Sequence, residues 1–300
     1  MRKNIVFLDR STFPSDIIFP KLDFNHKWKN HNFTKVKEVK KRIEKAHIVV
    51  TNKIELNRNN LSNANNLELI AITATGTNII DLEYCRKHNI SICNLRDYAS
   101  ISVAEHVLTL MLALSKNIKG LEKDIDKKLW QKRKVFALLS REINDLHGKT
   151  LGIIGKGSIG MKVGRIAKAF GMNIHVYDPY IENKFDEYEI RHFQNLTTAL
   201  CNADCISLNL PKVNKPIITK ENSQYLKHGV VIINTARGEL IEEKVLKDGI
   251  QEGIISGVGL DVFDSEPVEK NHFLFKYKQV IFTPHQAGLS QEAAQRMSIK

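Results

Sequence analysis

No apolar run in the 300-residue sequence approaches the roughly 18 residues of a membrane-spanning helix, and the longest helical candidate, Val103 to Leu114, is broken by Glu105 and His106. The chain therefore reads as one that is not embedded in a membrane. A signal-peptide core is lacking too. The apolar stretch after the basic start "MRKN" runs only from Ile5 to Leu8 before Asp9 and Arg10, and reads as a first buried strand. Cysteine is scarce: Cys85, Cys93, Cys201 and Cys205 form no paired C-x-x-C motifs and have no histidine cluster at zinc spacing. Reduced structural thiols in a cytoplasmic protein, and no metal site, are the expectation. Acids are short relative to bases, 33 against 45, for a net charge of +12. Such an excess can mark a nucleic-acid binder. Here, however, the lysines are spread from "KVKEVKKRIEK" to "KNHFLFKYK", interleaved with acids and apolar residues, and no base-reading motif accompanies them. A basic surface that attracts anionic substrates and cofactors is expected, with no nucleic-acid partner.

What is present, at 42% hydrophobic and 26% charged residues, is a soluble globular composition long enough for two domains. Short apolar runs alternate with helical patterns throughout: "NIVFLD", "AHIVV", "LELIAIT", "ISICN", "TLGIIG", "NIHVYD", "CISLNL", "VVIINT", "GVGLDV" and "QVIFTP". Continuous Val, Ile and Leu strands separated by helices predict an α/β fold with parallel sheets covered on both faces. Strands up to about Asn94 form one unit, and the apolar helix Ser102 to Leu114 leads out of it. The segment Ser115 to His147 is charged and strandless but carries Leu121, Leu129, Trp130 and Phe136. It reads as an arm that packs on a partner subunit or, equally, as a surface helix pair.

The stretch "TLGIIGKGSIG" puts Gly155, Gly157 and Gly160 between the strand Leu151 to Ile154 and the helix "GMKVGRIAKAF". A G-x-G-x-x-G pattern alone is weak, but in this context each glycine has a task. Gly155 makes the tight turn, Gly157 lets backbone approach a pyrophosphate, and Gly160 lets the helix pack on the strand. The helix N-terminus then offers amide donors and a positive dipole end. A second strand, "NIHVYD", ends in Asp178, at the interval where an acid meets the adenine ribose hydroxyls of NAD and repels the extra phosphate of NADP. The cofactor predicted is NAD(H), preferred over NADP(H).

Three later stretches put polar residues at strand ends, where an open α/β sheet binds its ligands. In "VVIINTARGELI", Arg237 follows the strand Val230 to Asn234, and its planar fork suits a carboxylate. Alone, it reads equally as a surface arginine in a turn. In "GLDVFDSEP", Asp261 and Glu266 follow a strand, and in "VIFTPHQAGLS" His285 follows another. A carboxylate that orients an imidazole makes a proton-transfer unit.

Together, "GKGSIG" with Asp178, "INTARGELI" with Arg237, "GLDVFDSEP" with Glu266 and "TPHQAG" with His285 resemble the D-isomer-specific 2-hydroxyacid dehydrogenases. The stretches "IVFLDR", "ITATGTNIIDLEYCRKHNISICN" and "SVAEHVLTLMLAL" resemble the glycerate dehydrogenase, or hydroxypyruvate reductase, branch. The resemblance spans nearly the whole chain. It implies two Rossmann-like domains, with a cofactor domain (100–285) inserted into a discontinuous, flavodoxin-like substrate domain (1–99 and 286–300) and the substrate in the cleft between them. It implies an NAD-dependent oxidoreductase that interconverts a small D-2-hydroxy acid and its 2-keto acid, most closely D-glycerate and hydroxypyruvate. D-3-phosphoglycerate and D-lactate dehydrogenase remain alternatives, as does glyoxylate reduction. A rival of another class is a non-catalytic, NAD-sensing, corepressor-like scaffold, against which the joint presence of Arg237, Glu266 and His285 argues.

By the same resemblance His285 is the acid/base, Glu266 its partner, and Arg237 the group that holds the substrate carboxylate, with the amides of Thr75 and Gly76 completing the clamp. The cofactor contacts implied are Gly155, Gly157, Ser158, Ile159, Gly160, Asp178, Asn209, Pro211, Ala236, Asp261, His285 and Gly288, with Asp261 near the nicotinamide and its carboxamide. A homodimer through residues 100–147 is expected from the segment Ser115 to His147 itself, rather than from the resemblance. The chain departs from the pattern at Asn209, where many relatives have His, and at Lys156, a cation beside the pyrophosphate loop. Relatives usually continue beyond the helix that begins near Ser290, whereas this sequence stops at Lys300. His106, on an apolar helix, reads as a packed or interface histidine.

Overall fold

The computed structural model describes residues 2–181 and 190–299. They divide into two compact units, Met1–Tyr98 with Leu289–Lys300, and Ala99–Gly288. The first unit is built on five parallel strands: β1 (Lys3–Phe7), β2 (His26–Asn30), β3 (Ile48–Thr51), β4 (Leu69–Ile72) and β5 (Ser91–Asn94). Their spatial order is β2-β1-β3-β4-β5, with Ile5 opposite Ile48 and Ile48 opposite Leu69. This is the flavodoxin-like order, and its switch point lies where β1 and β3 meet.

Burial on both faces explains the unbroken apolar run Ile5 to Leu8 that begins within β1. Val6 and Leu8 join Val39, Ile43 and Ile70 in one core. Ile5 and Phe7 join Phe13, Val50, Ala294 and Met297 in another. Fully burying side chains of this size contributes about 1.5–3 kcal/mol each. Ala294 and Met297 belong to the helix Gln291–Ile299, so apolar burial returns the end of the chain to the unit with which it begins.

The second unit carries seven parallel strands: β6 (Thr150–Ile154), β7 (Asn173–Tyr177), β8 (Arg191–Phe193), β9 (Cys205–Leu208), β10 (Val230–Asn234), β11 (Ile255–Leu260) and β12 (Val280–Phe282). Their order, β12-β11-β10-β9-β6-β7-β8, is the Rossmann arrangement with one further strand. Successive residues again serve opposite faces: Ile154 and Ile232 in one core, Ile153 and Ile233 in the other. The helix Ser100–Ser115 closes the second of these cores with Ala104, Val107, Leu108 and Met111. Among the described residues no single helix is long and apolar enough to cross a membrane.

The strandless segment after that helix holds two short helices, Ile118–Asp126 and Leu129–Arg133. Its return is anchored by Asp124, a buried carboxylate. Arg141 donates to it through Nε at 2.8 Å and through its second terminal nitrogen at 2.6 Å, and Ser140 Oγ donates at 2.7 Å. The Arg141 and Ser140 hydrogen bonds hold Asp124 well below the usual carboxylate range. Between these anchored ends Phe136 and Leu139 stand 99% and 91% exposed. All four cysteines are free thiols, and burial pushes that of Cys205 up to about 12.

Candidate active site

Glycine decides the geometry at the carboxyl end of β6. Gly155 has φ +106°, and a methyl group there would lie 2.7 Å from the carbonyl oxygen of Asn209. At Gly160 a methyl group would lie 2.2 Å from the Gly155 carbonyl, so the helix Ser158–Ala169 can begin this close to the turn only without a side chain. Gly157, the residue that caps this helix, has nothing within 4 Å of the corresponding position. The space over the first turn, formed by Ser158 and Ile159, is thus open to a ligand group that accepts from helix amides. Asp178 follows β7 directly. Its carboxylate accepts from the amide of Lys156 at 3.1 Å and from that of Tyr180 at 3.0 Å, which fixes it beside the glycine turn. An open helix N-terminus with an anchored acid next to it fits a dinucleotide.

The adjacent strands β9, β10, β11 and β12 place the remaining candidates at the same carboxyl edge. Asn209, just after β9, donates its side-chain amide to the carbonyl and hydroxyl of Ser207, at 3.1 and 3.0 Å. Its Oδ1 is buried and accepts no hydrogen bond among the described residues, leaving an acceptor for a ligand donor. Pro211 follows it on the surface. After β10, the buried side chain of Asn234 accepts from the Ala236 amide at 3.0 Å and donates to the Arg237 carbonyl at 2.7 Å. Asn234 thereby fixes the turn that carries Arg237. The Arg237 guanidinium donates to the Ala236 carbonyl at 2.6 Å, and no described carboxylate pairs with it. Its fork is available to a carboxylate ligand.

Gly238 joins this turn to the next loop. A methyl group at Gly238 would lie 2.1 Å from the carbonyl carbon of Phe263 and 2.3 Å from the Asp264 nitrogen. The loops after β10 and β11 are therefore in backbone contact. The Phe263 amide in turn donates to Glu266 Oε1 at 3.0 Å, and Glu266 Oε2 meets His285 Nδ1 at 2.5 Å. With Nδ1–H donated to the carboxylate, the ring presents Nε2 outward. The three residues Arg237, Glu266 and His285 thus stand on one connected surface.

His285 has φ +51°, a left-handed conformation that costs a residue with a side chain about 1–2 kcal/mol and persists only where its surroundings enforce it. Asp261 is the enforcing group. Its carbonyl accepts from the His285 amide at 2.8 Å, its Oδ1 from the Gln286 amide at 2.9 Å, and its Oδ2 from the Ala287 amide at 2.9 Å. The Asp261 carboxylate is buried and turned to the loop after β12. Gly288, next along the chain, packs on Ala99 and Val103. These bonds keep 286–288 within the second unit. In the first unit, Thr75 and Gly76 lie on the loop after β4, where the Thr75 carbonyl accepts from Asn94 Nδ2 at 2.7 Å.

Sequence reasoning does not single out Asn234 or Thr283, and reads His106 as a packed or interface histidine. Thr283 Oγ1 donates to Asp261 Oδ1 at 2.5 Å, and His106 Nε2 lies 2.9 Å from Thr283 Oγ1. No spacing rule links positions so far apart. A cavity of about 620 Å³ opens at the amino edge of the same sheet beside Lys149, Asp204, Gly229 and Gln279, and shares no residue with this site.

Residues 108–287 match the family described as D-isomer specific 2-hydroxyacid dehydrogenase, NAD binding domain. The chain belongs to that family. The D-2-hydroxyacid dehydrogenases are oxidoreductases acting on the CH–OH group of 2-hydroxy acids, and this chain is one of them. Among similar proteins, a glycerate dehydrogenase of Methylorubrum extorquens is 33% identical and matches over 98% of this chain and 92% of its own length. A D-3-phosphoglycerate dehydrogenase of Methanocaldococcus jannaschii is 38% identical over 85% of this chain but only 48% of its own. Among solved structures, a D-lactate dehydrogenase of Aquifex aeolicus, complexed with NAD and lactic acid, is 28% identical. It superposes with a TM-score of 0.82 over 98% of this chain and 92% of its own.

Proposed function

We propose that this D-2-hydroxyacid dehydrogenase interconverts D-glycerate and hydroxypyruvate, using NAD(H) in preference to NADP(H). The observation that carries the reading is the Glu266–His285 pair at 2.5 Å, with Nε2 outward and, on the contacting loop, a guanidinium that no described carboxylate pairs. The glycerate dehydrogenase relative, matched along nearly all of both chains, supports this substrate over phosphoglycerate, whose relative is matched over about half its length.

Bound NAD(H) supplies or accepts the hydride. Arg237 grips the substrate carboxylate through its fork and opposes the negative charge that develops on the keto oxygen. Thr75 and Gly76 complete the carboxylate clamp through backbone amides. During reduction His285 Nε2 gives its proton to that oxygen, and during oxidation it takes the proton back from the hydroxyl. Glu266 holds the ring by Nδ1 and stabilises the imidazolium. Gly155, Gly157, Ser158, Ile159 and Gly160 receive the pyrophosphate, Asp178 the adenine ribose hydroxyls, and Asn209, Pro211, Ala236 and Gly288 line the nicotinamide side. By this reading the first unit, Met1–Tyr98 with Leu289–Lys300, is the substrate domain, and the second, Ala99–Gly288, the cofactor domain. The free thiols support a reducing, cytoplasmic setting.

The rate of NADH loss at 340 nm with hydroxypyruvate, glyoxylate, pyruvate and phosphohydroxypyruvate, each repeated with NADPH, tests this reading. The highest kcat/KM is expected for hydroxypyruvate with NADH. A higher value for phosphohydroxypyruvate or pyruvate reassigns the substrate, and no turnover with any of them, despite NADH binding, favours the sensing scaffold. Asp178→Ala is expected to shrink the NADH preference by about 10-fold or more, since the variant no longer repels the extra phosphate.

A homodimer through residues 100–147 completes the proposal. The exposed Phe136 and Leu139, carried between anchored ends, support a contact with a second copy. Solution scattering is expected to give twice the 34.2 kDa chain mass. A monomer mass defeats the dimer.

A further inference from the structure

A chain of four hydrogen bonds runs from the helix Ser100–Ser115 through Thr283 and Asp261 to the residues that follow His285. Thr283 has one hydroxyl proton, and it goes to Asp261 Oδ1 at 2.5 Å. The 2.9 Å contact between His106 and Thr283 must then be an Nε2–H donated to Thr283 Oγ1. The direction of every bond is thereby fixed: His106 to Thr283, Thr283 to Asp261, with the Gln286 and Ala287 amides completing the carboxylate's shell. Asp261 is 1% exposed, so it depends on these donors, and His106 Nε2, 3.7 Å from Oδ1, is the nearest described group able to carry a positive charge. The residues whose amides Asp261 holds are the two that follow His285, whose left-handed backbone aims its ring at Glu266.

We propose that His106 and Thr283 are positioning residues for the proton transfer: His106 fixes Thr283, Thr283 fixes Asp261, and Asp261 holds the strained turn that keeps His285 Nδ1 on Glu266. In this role both side chains act through Asp261 rather than on the substrate or the cofactor. The kinetic consequence rests on the dehydrogenase reading above; the structural consequence does not. A His285 ring that wanders from Glu266 has lost its alignment before the proton moves, and a misplacement of about 1 Å in such a step can cost ~100-fold in rate.

The variants are His106→Leu, Thr283→Val and Thr283→Ser, and the pair His106→Leu/Thr283→Val, each checked for an unchanged melting transition. With hydroxypyruvate and NADH, kcat is expected to fall about 10–100-fold in Thr283→Val while KM stays within about threefold, and Thr283→Ser is expected to restore most of it. The pair is expected to be no worse than Thr283→Val alone, because both changes cut one chain of bonds. An activity-independent readout is the downfield proton resonance of the His285–Glu266 bond. It is expected in the parent and in Thr283→Ser, and to be lost or broadened in His106→Leu and Thr283→Val. If His106→Leu and Thr283→Val keep both the resonance and the parent kcat, or if Thr283→Ser loses as much as Thr283→Val, the proposal is overturned. If the parent reduces none of the keto acids, the dehydrogenase reading fails, and the resonance alone decides the positioning role. Should Thr283→Val not fold, His106→Leu carries the same test.

Discussion

Alanine in place of His285 is expected to lower the turnover of hydroxypyruvate by about 100- to 10,000-fold, the usual range for loss of a positioned general acid. The expectation follows from how little else the site offers as a proton source. Glu266 spends Oε1 on the Phe263 amide and Oε2 on the ring itself, so it is an acceptor at both oxygens. Arg237 does not release a proton in a protein, and Asp261 is buried beneath the loop. Without the imidazole, the proton must come from water. Affinity for NADH, measured by fluorescence titration, is expected to stay within about threefold, because the glycine turn and Asp178 are held by bonds that do not involve His285. Turnover within about twofold of the parent would remove His285 from the reaction. Loss of NADH binding together with turnover would instead mean that the residue serves the cofactor.

What the sequence makes legible follows from how each feature is encoded. Of the ten strands recognised as apolar runs, eight lie inside a sheet, and the apolar residues of β1, β6 and β10 serve cores on both faces for that reason. The two strands not recognised, β2 with "HKWKN" and β8 with "RHF", are edge strands like the recognised β5 and β12, but each carries a single apolar residue. One side of an edge strand has no partner, and polar residues are favoured there because they discourage pairing with another chain. In β2 and β8 the polar residues therefore leave no apolar run to recognise. The site divides in the same way. Arg237, Glu266, His285 and the glycines each follow a recognisable strand, and a parallel sheet delivers all its strand ends to one edge, so their meeting is readable from order alone. The support beneath them is not. Asn234 acts within its own loop but by a local turn that many asparagines make, while His106 reaches Thr283 across 177 positions through a single hydrogen bond. A packed histidine on an apolar helix and one that directs a threonine look alike in a sequence. Only the placement of the helix on β10 to β12 separates them.

Arg237→Ala is expected to damage binding and rate together, which distinguishes it from His285→Ala. Loss of a charge-assisted pair to the substrate carboxylate is worth roughly 1.5–3 kcal/mol, or about 10- to 150-fold in KM. Loss of the cation facing the keto oxygen removes stabilisation that grows as the oxygen gains charge, for a further ~100- to 1,000-fold in kcat. The two combine in kcat/KM, so the deficit there is expected to exceed that of any other single change. Arg237→Lys separates the two roles. A lysine keeps a positive charge but not the planar fork, so part of kcat is expected to return while KM stays raised. The turn itself should survive either change, because Asn234 bonds the backbone of Ala236 and Arg237 rather than the guanidinium. An unchanged KM in Arg237→Ala, with kcat alone reduced, would mean that the carboxylate is held entirely elsewhere, and Thr75 and Gly76 would then carry the clamp. Full recovery in Arg237→Lys would mean that the site reads charge and not shape. A substrate would then be recognised by any cation at this position, which the fixed turn at Asn234 and the close approach at Gly238 give no reason to expect.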